Sequence, residues 1–256
     1  MNLLEHLLEE KRMKLKGGLY HQTQVKLAYN SNRIEGSRLS EEQTRCIFET
    51  NTLDVPPEET ADVDDIVEAA NHFACFDFML EHAAEPLSEE LIKRLHFIMK
   101  SSTTDARKDW FRVGDYKARP NVVGDMETTA PAKVAAAMQA LIAKYNAKER
   151  VTFEDVLMFH VHFERIHPFQ DGNGRVGRLL LFKECLRHDV MPFIIDHEHK
   201  LFYYRGLKEY DNEPGFLTDT CLSAQDRYTA MVQYFYPPQM VEEPEQAQAF
   251  TQTMSM

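Results

Sequence analysis

The sequence predicts an all-α fold carrying one short β-hairpin. Ten segments place apolar residues at the three- and four-residue spacing of a helix face, whereas only the stretch 110–124 mixes aromatic and β-branched residues with chain breakers. A length of 256 residues, 43% of them hydrophobic and without an internal repeat, suits one core with an appended helical region.

Residues 1–60 form the N-terminal region, with helices expected over 2–15, 21–35 and 40–49. The first alternates leucines with charges and has no uninterrupted apolar core, which excludes a secretory signal of the usual kind. The second carries Val25, Leu27, Ala28 and Ile34 and is stopped by Gly36. Asn51 to Thr60, with Pro56-Pro57, reads as an exposed loop. The core domain, 61–210, holds helices over 62–83, 88–100, 131–147, 153–166, 174–188 and 197–210, and Ser88 is placed to cap the second of these. Between them Trp110 to Gly124 reads as a hairpin, and Leu201, Tyr203, Tyr204, Leu207 and Tyr210 mark an apolar stripe on the last helix. A C-terminal extension, 211–236, contains a helix over 215–234; after Pro237-Pro238 the apolar pattern stops, and the acidic, glutamine-rich tail 237–256 is expected to be mobile.

Reactive chemistry concentrates in His167-Pro168-Phe169-Gln170-Asp171-Gly172-Asn173-Gly174-Arg175-Val176-Gly177-Arg178. Phe153, Val156, Leu157, His160, Phe163 and Ile166 share a helical face, and the proline that follows His167 pushes this histidine out of the α region, to the end of that helix. There the helix carbonyls favour an imidazole that picks up a proton, which suits a general base. Val176, Leu179, Leu180, Phe182 and Leu186 mark the next helix, and the glycines at its start free backbone N–H groups to cup an anion. Arg175 and Arg178 have the wrong sign for a helix N-terminus by about 0.3–1 kcal/mol each, so an anionic ligand is expected there, and polyphosphate fits paired guanidiniums best. Asp171 would then reach phosphate oxygens through Mg²⁺. A rival metal reading rests on His160, His162, Glu164 and His167, with the Glu-x-x-His spacing of di-iron bundles. It lacks a second such pair, and His160 and His162 lie about 200° apart around a helix.

The string resembles the signature of Fic-domain proteins, His-Pro-Phe-x-Asp/Glu-Gly-Asn-Gly-Arg-x-x-Arg, at every fixed position. The resemblance implies transfer of AMP from ATP to a hydroxyl side chain of a target protein, with His167 as base and Asp171 holding Mg²⁺. Gly172, Asn173 and Gly174 would hold the α- and β-phosphates, and Arg175 and Arg178 the β- and γ-phosphates. Phosphoryl-transferring members, the Doc-like kinases, carry lysine at the position of Gly174, so this chain has the adenylylating form. The fold implied is a Fic-like helical core with a hairpin flap, in which Lys117, Asn121, Val122 and Val123 would register the target's backbone by strand addition. Tyr203 or Tyr204 would stack on adenine.

Ser31-Asn32-Arg33-Ile34-Glu35-Gly36 puts an acid at a helix C-terminus, again the unfavourable sign. Two misplaced charges of opposite sign suggest a pair. The segment resembles the Ser/Thr-x-x-x-Glu-Gly/Asn inhibitory motif of Fic proteins that carry the inhibitory helix in the same chain, before the core. There Glu35 would pair with Arg178 and displace the γ-phosphate, while Ser31 hydrogen-bonds within the phosphate site.

A net charge of −12 argues against a nucleic-acid backbone as partner, and no segment is long and apolar enough to span a membrane. Cys46, Cys75, Cys185 and Cys221 lack metal spacing and read as free thiols of a reducing compartment, so a cytoplasmic protein is expected. The expected function is an autoinhibited protein adenylyltransferase acting on Ser, Thr or Tyr of a target and of itself, with self-association a further expectation. Removal of AMP, phosphoryl transfer, or nucleotide binding without catalysis are the alternatives.

Overall fold

The computed structural model describes residues 2–58, 60–124 and 126–235. Within them lie α1 (Leu3–Met13), α2 (Leu19–Ile34), α3 (Glu41–Thr50), α4 (Val63–Glu81), α5 (Glu89–Lys100), α6 (Pro131–Asn146), α7 (Phe153–Ile166), α8 (Asn173–Arg187), α9 (Lys200–Glu209) and α10 (Gly215–Phe235). Each expected helix is present, its ends within three residues of the expected ones. The tail 237–256, expected to be mobile, lies outside the described residues.

Local chemistry accounts for the boundaries. Ser88 Oγ accepts the Leu91 N–H at 3.1 Å, and Ser40 with Gln43 and Thr152 with Asp155 close reciprocal capping boxes at α3 and α7. Helix α2 has no side-chain cap of its own; the buried Glu10 of α1 accepts its Tyr20 N–H at 2.7 Å, and Tyr20 Oη donates to Asp77 Oδ1 of α4 at 2.5 Å. A carboxylate at a helix N-terminus has the stabilising sign. The other end of α2 stops at Gly36, whose φ of +107° suits glycine.

One continuous apolar cluster joins Leu7 of α1, Leu27 of α2, Phe76 of α4, Leu95 of α5, Phe163 of α7, Phe182 of α8 and Tyr228 of α10. A smaller cluster of Ala28, Leu39, Ile47, Ala69 and Phe73 seals α3 against α2 and α4. Helix α2 is thereby inlaid against α1, α3, α4 and α8, with twelve of its side chains from Leu19 to Ile34 buried. All four cysteines are free, and among the described residues no helix is long and apolar enough to cross a membrane.

Two expectations are corrected. The hairpin does not span 110–124: its strands are β1 (Val122–Val123) and β2 (Met126–Glu127), antiparallel, with Val122 opposite Glu127. The residues before it are drawn away by other partners. Gly114 is left-handed, with φ +76°, and its N–H is taken by His96 Nδ1 at 2.9 Å, while the Lys117 N–H goes to the Pro168 carbonyl at 2.8 Å. The stripe on α9 also divides. Tyr203 and Gly206 are buried but Leu201 is 73% exposed, because α10 crosses so closely at Gly206 that a Cβ there would meet Leu217 Cα at 2.6 Å.

Candidate active site

Helices α7 and α8 pack against each other, and the loop between them carries the motif. His167 caps α7 with φ +50°, a left-handed conformation that costs an ordinary residue about 1–2 kcal/mol. The loop is held from several sides. Asn173 Oδ1 accepts the Phe169 N–H at 2.7 Å, and its Nδ2 donates to the Phe169 carbonyl at 2.9 Å. The fully buried Phe169 ring stacks on His96, centroids 3.9 Å apart and planes within 2°. His96 Nε2 donates to the Asp171 carbonyl at 3.1 Å, and burial lowers this imidazole to about 3, so it is neutral.

The Asn173 side chain thus ties the motif loop together through the Phe169 backbone. Gly172, φ +80°, delivers the chain to α8 without a side-chain cap, and the first N–H groups of a helix have no partner within it. That end remains an anion seat.

Around this seat the charged side chains form two groups. In the first, Arg178, 4% exposed, donates through Nη2 to Glu35 Oε1 at 2.7 Å and to the Ser31 carbonyl at 2.9 Å, and through Nε to Ser31 Oγ at 3.0 Å. Burial opposes the charge on Arg178, but Glu35 outweighs it and holds the guanidinium above its ordinary value. Gly174 makes the approach possible: a Cβ there would collide with Glu35 Oε1 and lie 2.9 Å from Arg178 Nη1. The pair that the resemblance implied is thus in contact.

In the second group, Arg175 pairs with Glu68 of α4 and, at 3.1 Å, with Asp171. Lys100, the last residue of α5, lies 2.6 Å from both Glu68 and Asp171 and 3.1 Å from Asp105. Burial acts to raise Asp171, yet Arg175 and Lys100 prevail and keep it well below the usual carboxylate range. Glu68 and Lys100 were missed from the sequence. Their positions, 107 and 75 residues before Arg175, carry no spacing signal.

Asp171 fits a hard divalent cation. It is ionised, 49% exposed at the side chain, and engages both cations through Oδ2; Mg²⁺ needs one or two carboxylates and completes its shell with phosphate oxygens and water.

His167 sits beside a second acid, Glu164. His167 Nδ1 lies 3.3 Å from the Glu164 carbonyl, which can only accept, so Nδ1 carries the proton and Nε2 is the free lone pair. Burial lowers the His167 pKa below the ordinary 6.5, outweighing its hydrogen bond to Glu164 and the attraction of Glu35 and Asp171. This corrects the dipole argument, which expected the protonated form to be favoured at the helix end.

Glu164 itself is raised to about 8 by burial, against the pull of Arg178, and its Oε1 has no hydrogen-bond partner among the described residues. Its folded-state pKa exceeds the ordinary 4.5, so stability is lost as pH rises from 4.5 to about 8. Glu164→Gln, which does not ionise, is expected to gain in melting temperature over wild type across that window; a constant difference between pH 5 and 8 would contradict it.

The remaining expected residues divide. Tyr203 is 1% exposed, with Oη 2.7 Å from His160 Nε2, so it is a core residue and not a platform for adenine. Tyr204, 40% exposed, reaches the Ile34 carbonyl at 3.4 Å and so touches the end of α2. Lys117 is also corrected: at 3% exposure its ammonium donates to Asn121 Oδ1 at 2.7 Å and Thr128 Oγ1 at 2.6 Å, inside the flap's base. Asn121 Nδ2 donates to the Phe169 carbonyl at 3.0 Å and ties the flap to the motif loop. Val122 and Val123 are 65% and 38% exposed.

This geometry meets an independent comparison. Residues 86–184 match the profile of the Fic/DOC family. The chain carries a Fic/DOC domain. A protein adenylyltransferase Fic of Aedes aegypti is 27% identical over 189 residues, 70% of this chain and 36% of that one. Its Drosophila melanogaster counterpart is 27% identical over 214 residues, 78% of this chain and 41% of that one. The chain thus spans about two fifths of the length of these relatives. Among solved structures, a Fic-domain-containing signaling protein of Bacteroides thetaiotaomicron superposes with a TM-score of 0.68 at 25% identity, covering 90% of both chains. Fic-1 (aa134–508) of C. elegans gives 0.68 at 21% identity, covering 90% of this chain and 70% of that one. Helices α1 to α3 lie before the residues that match the family profile.

Proposed function

We propose that this Fic domain belongs to an autoinhibited protein adenylyltransferase, which transfers AMP from ATP to a Ser, Thr or Tyr hydroxyl of a target and of itself. The observation that carries the proposal is the position of a neutral, Nδ1-protonated His167 four residues before Asp171 and at the lip of the α8 N-terminus. Nε2 takes the proton of the incoming hydroxyl, whose oxygen bonds to the α-phosphorus as the bond to the β-phosphate oxygen breaks and pyrophosphate leaves. The first N–H groups of α8, together with Arg175 and Arg178, hold the phosphates and the charge that develops on pyrophosphate. Bound Mg²⁺ neutralises phosphate charge, and Asp171 would hold it. Val122 and Val123 offer the edge on which a target strand lies.

Inhibition uses the same atoms. While Glu35 holds Arg178 through Nη2, a γ-phosphate meets a guanidinium already paired with a carboxylate, and the nucleotide is not seated for in-line attack. The relatives named protein adenylyltransferase support the reaction class. The test is incubation of wild type and Glu35→Gly with Mg²⁺ and ATP labelled at the α- or the γ-phosphate. Label entering protein from the α-phosphate alone is expected; label from the γ-phosphate alone would make this a kinase and overturn the reading.

A further inference from the structure

Lys100 lies outside the motif, yet its ammonium is within 3.1 Å of three carboxylates, Asp171, Glu68 and Asp105, and only 2% of its side chain is exposed. Nothing in the AMP-transfer chemistry described above requires a lysine there. Its stem passes under the motif: a Cβ on Gly172 would lie 3.5 Å from Lys100 Cγ and Cδ. Burying an ammonium is costly unless it is fully paired, and here the pairing is complete. Around Asp171 the charges also balance. Glu68, Asp105 and Asp171 give −3, and Lys100, Arg175 and Lys108, which is 2.5 Å from Asp105, give +3.

We infer that Lys100 is a positioning residue that serves as the resident counter-ion of Asp171: it holds the carboxylate in place and electrically satisfied, so that a divalent cation binds only together with a nucleotide. Both cations on Asp171 use Oδ2, so the carboxylate is fixed by one oxygen. A divalent ion approaching the free protein meets a cluster without net charge and two nearby positive groups, and gains little. When polyphosphate arrives on α8 the balance turns negative, and the ion is then attracted. The inference rests on the reading that Asp171 faces the metal of bound ATP.

The test uses Mn²⁺ alone, read by the loss of its free electron-spin signal, on full-length protein without ATP or target; it therefore reports on Lys100 even if the transfer reaction fails. Wild type is expected to bind Mn²⁺ weakly. Lys100→Met exposes uncompensated carboxylates and should bind it roughly tenfold more tightly or better, the scale on which groups behind a metal ligand act. Lys100→Arg should restore weak binding, and Asp171→Asn placed on Lys100→Met should abolish the gain. Equal Mn²⁺ affinity of wild type and Lys100→Met overturns the inference. Lys100→Gln, which keeps a donor without charge, gives a second variant should methionine not be tolerated. If neither folds, wild type decides alone: Mn²⁺ binding that is tight without nucleotide and lost in Asp171→Asn overturns the inference. Binding that requires a non-hydrolysable ATP analogue supports it.

Discussion

His167→Ala, made in the Glu35→Gly background so that there is activity to lose, is expected to lower AMP incorporation by about 10²–10⁴-fold, the usual contribution of a positioned general base. The fold should survive. His167 is at a helix end with its side chain 18% exposed, and Phe169, Asn173 and His96 hold the loop without it. The pH profile gives a separate reading. Burial depresses this imidazole, so the neutral form needed as base is the main form at and above the ordinary value of 6.5. Activity should stay level across neutral pH and fall only on acidification below 6.5, through the lowered pKa. A variant with undiminished label, or a rate that climbs steadily from pH 6.5 to 8, would remove His167 from the role of base.

Glu35→Gly is expected to raise AMP incorporation by about 5–150-fold, the range of coupling energies between a regulatory contact and a site. The physical basis is substitution of one anion for another. Arg178 is 4% exposed, and Glu35 gives it its only carboxylate partner among the described residues, at 2.7 Å. With glycine at 35 the guanidinium keeps Ser31 but regains the donors for phosphate. Glu35→Gln separates charge from shape. An amide retains bulk but binds a guanidinium less strongly, so its activity should fall between the two. Equal incorporation by wild type and Glu35→Gly would end the autoinhibition reading.

How much of this was legible in the sequence depended on the range of the interaction. Helix existence was readable because apolar spacing is a local property, and α7 matches its expected span of 153–166 residue for residue. The Glu35–Arg178 contact crosses 143 residues, yet each charge was anomalous within its own helix, which left a trace at both ends. Lys100 and Glu68 left none. A lysine at the end of α5 and a glutamate in α4 are ordinary, and only packing brings them to Asp171. Tyr203, placed by a helical stripe and a family resemblance, and Lys117, placed by the resemblance, misled for a related reason: neither signal says whether a side chain's face is open. The answers were 1% and 3% exposure. The His167 pKa turned on burial, which a dipole argument made from one helix omits.

The anchor at the start of α2 bears on how firmly the domain is held off. In the proposed inhibition Glu35 acts as a ligand tethered to its own receptor, and a tethered ligand is as strong as its effective concentration, which depends on how rigidly the tether is mounted. That mounting lies at the opposite end of the helix, where Glu10 accepts the Tyr20 N–H and Tyr20 Oη donates to Asp77. Whatever loosens Glu10 or Asp77 dilutes Glu35 at Arg178 without touching a phosphate-binding atom. The setting of the switch is therefore separable from its contacts, and can drift by substitution in α1 and α4 while the motif stays unchanged.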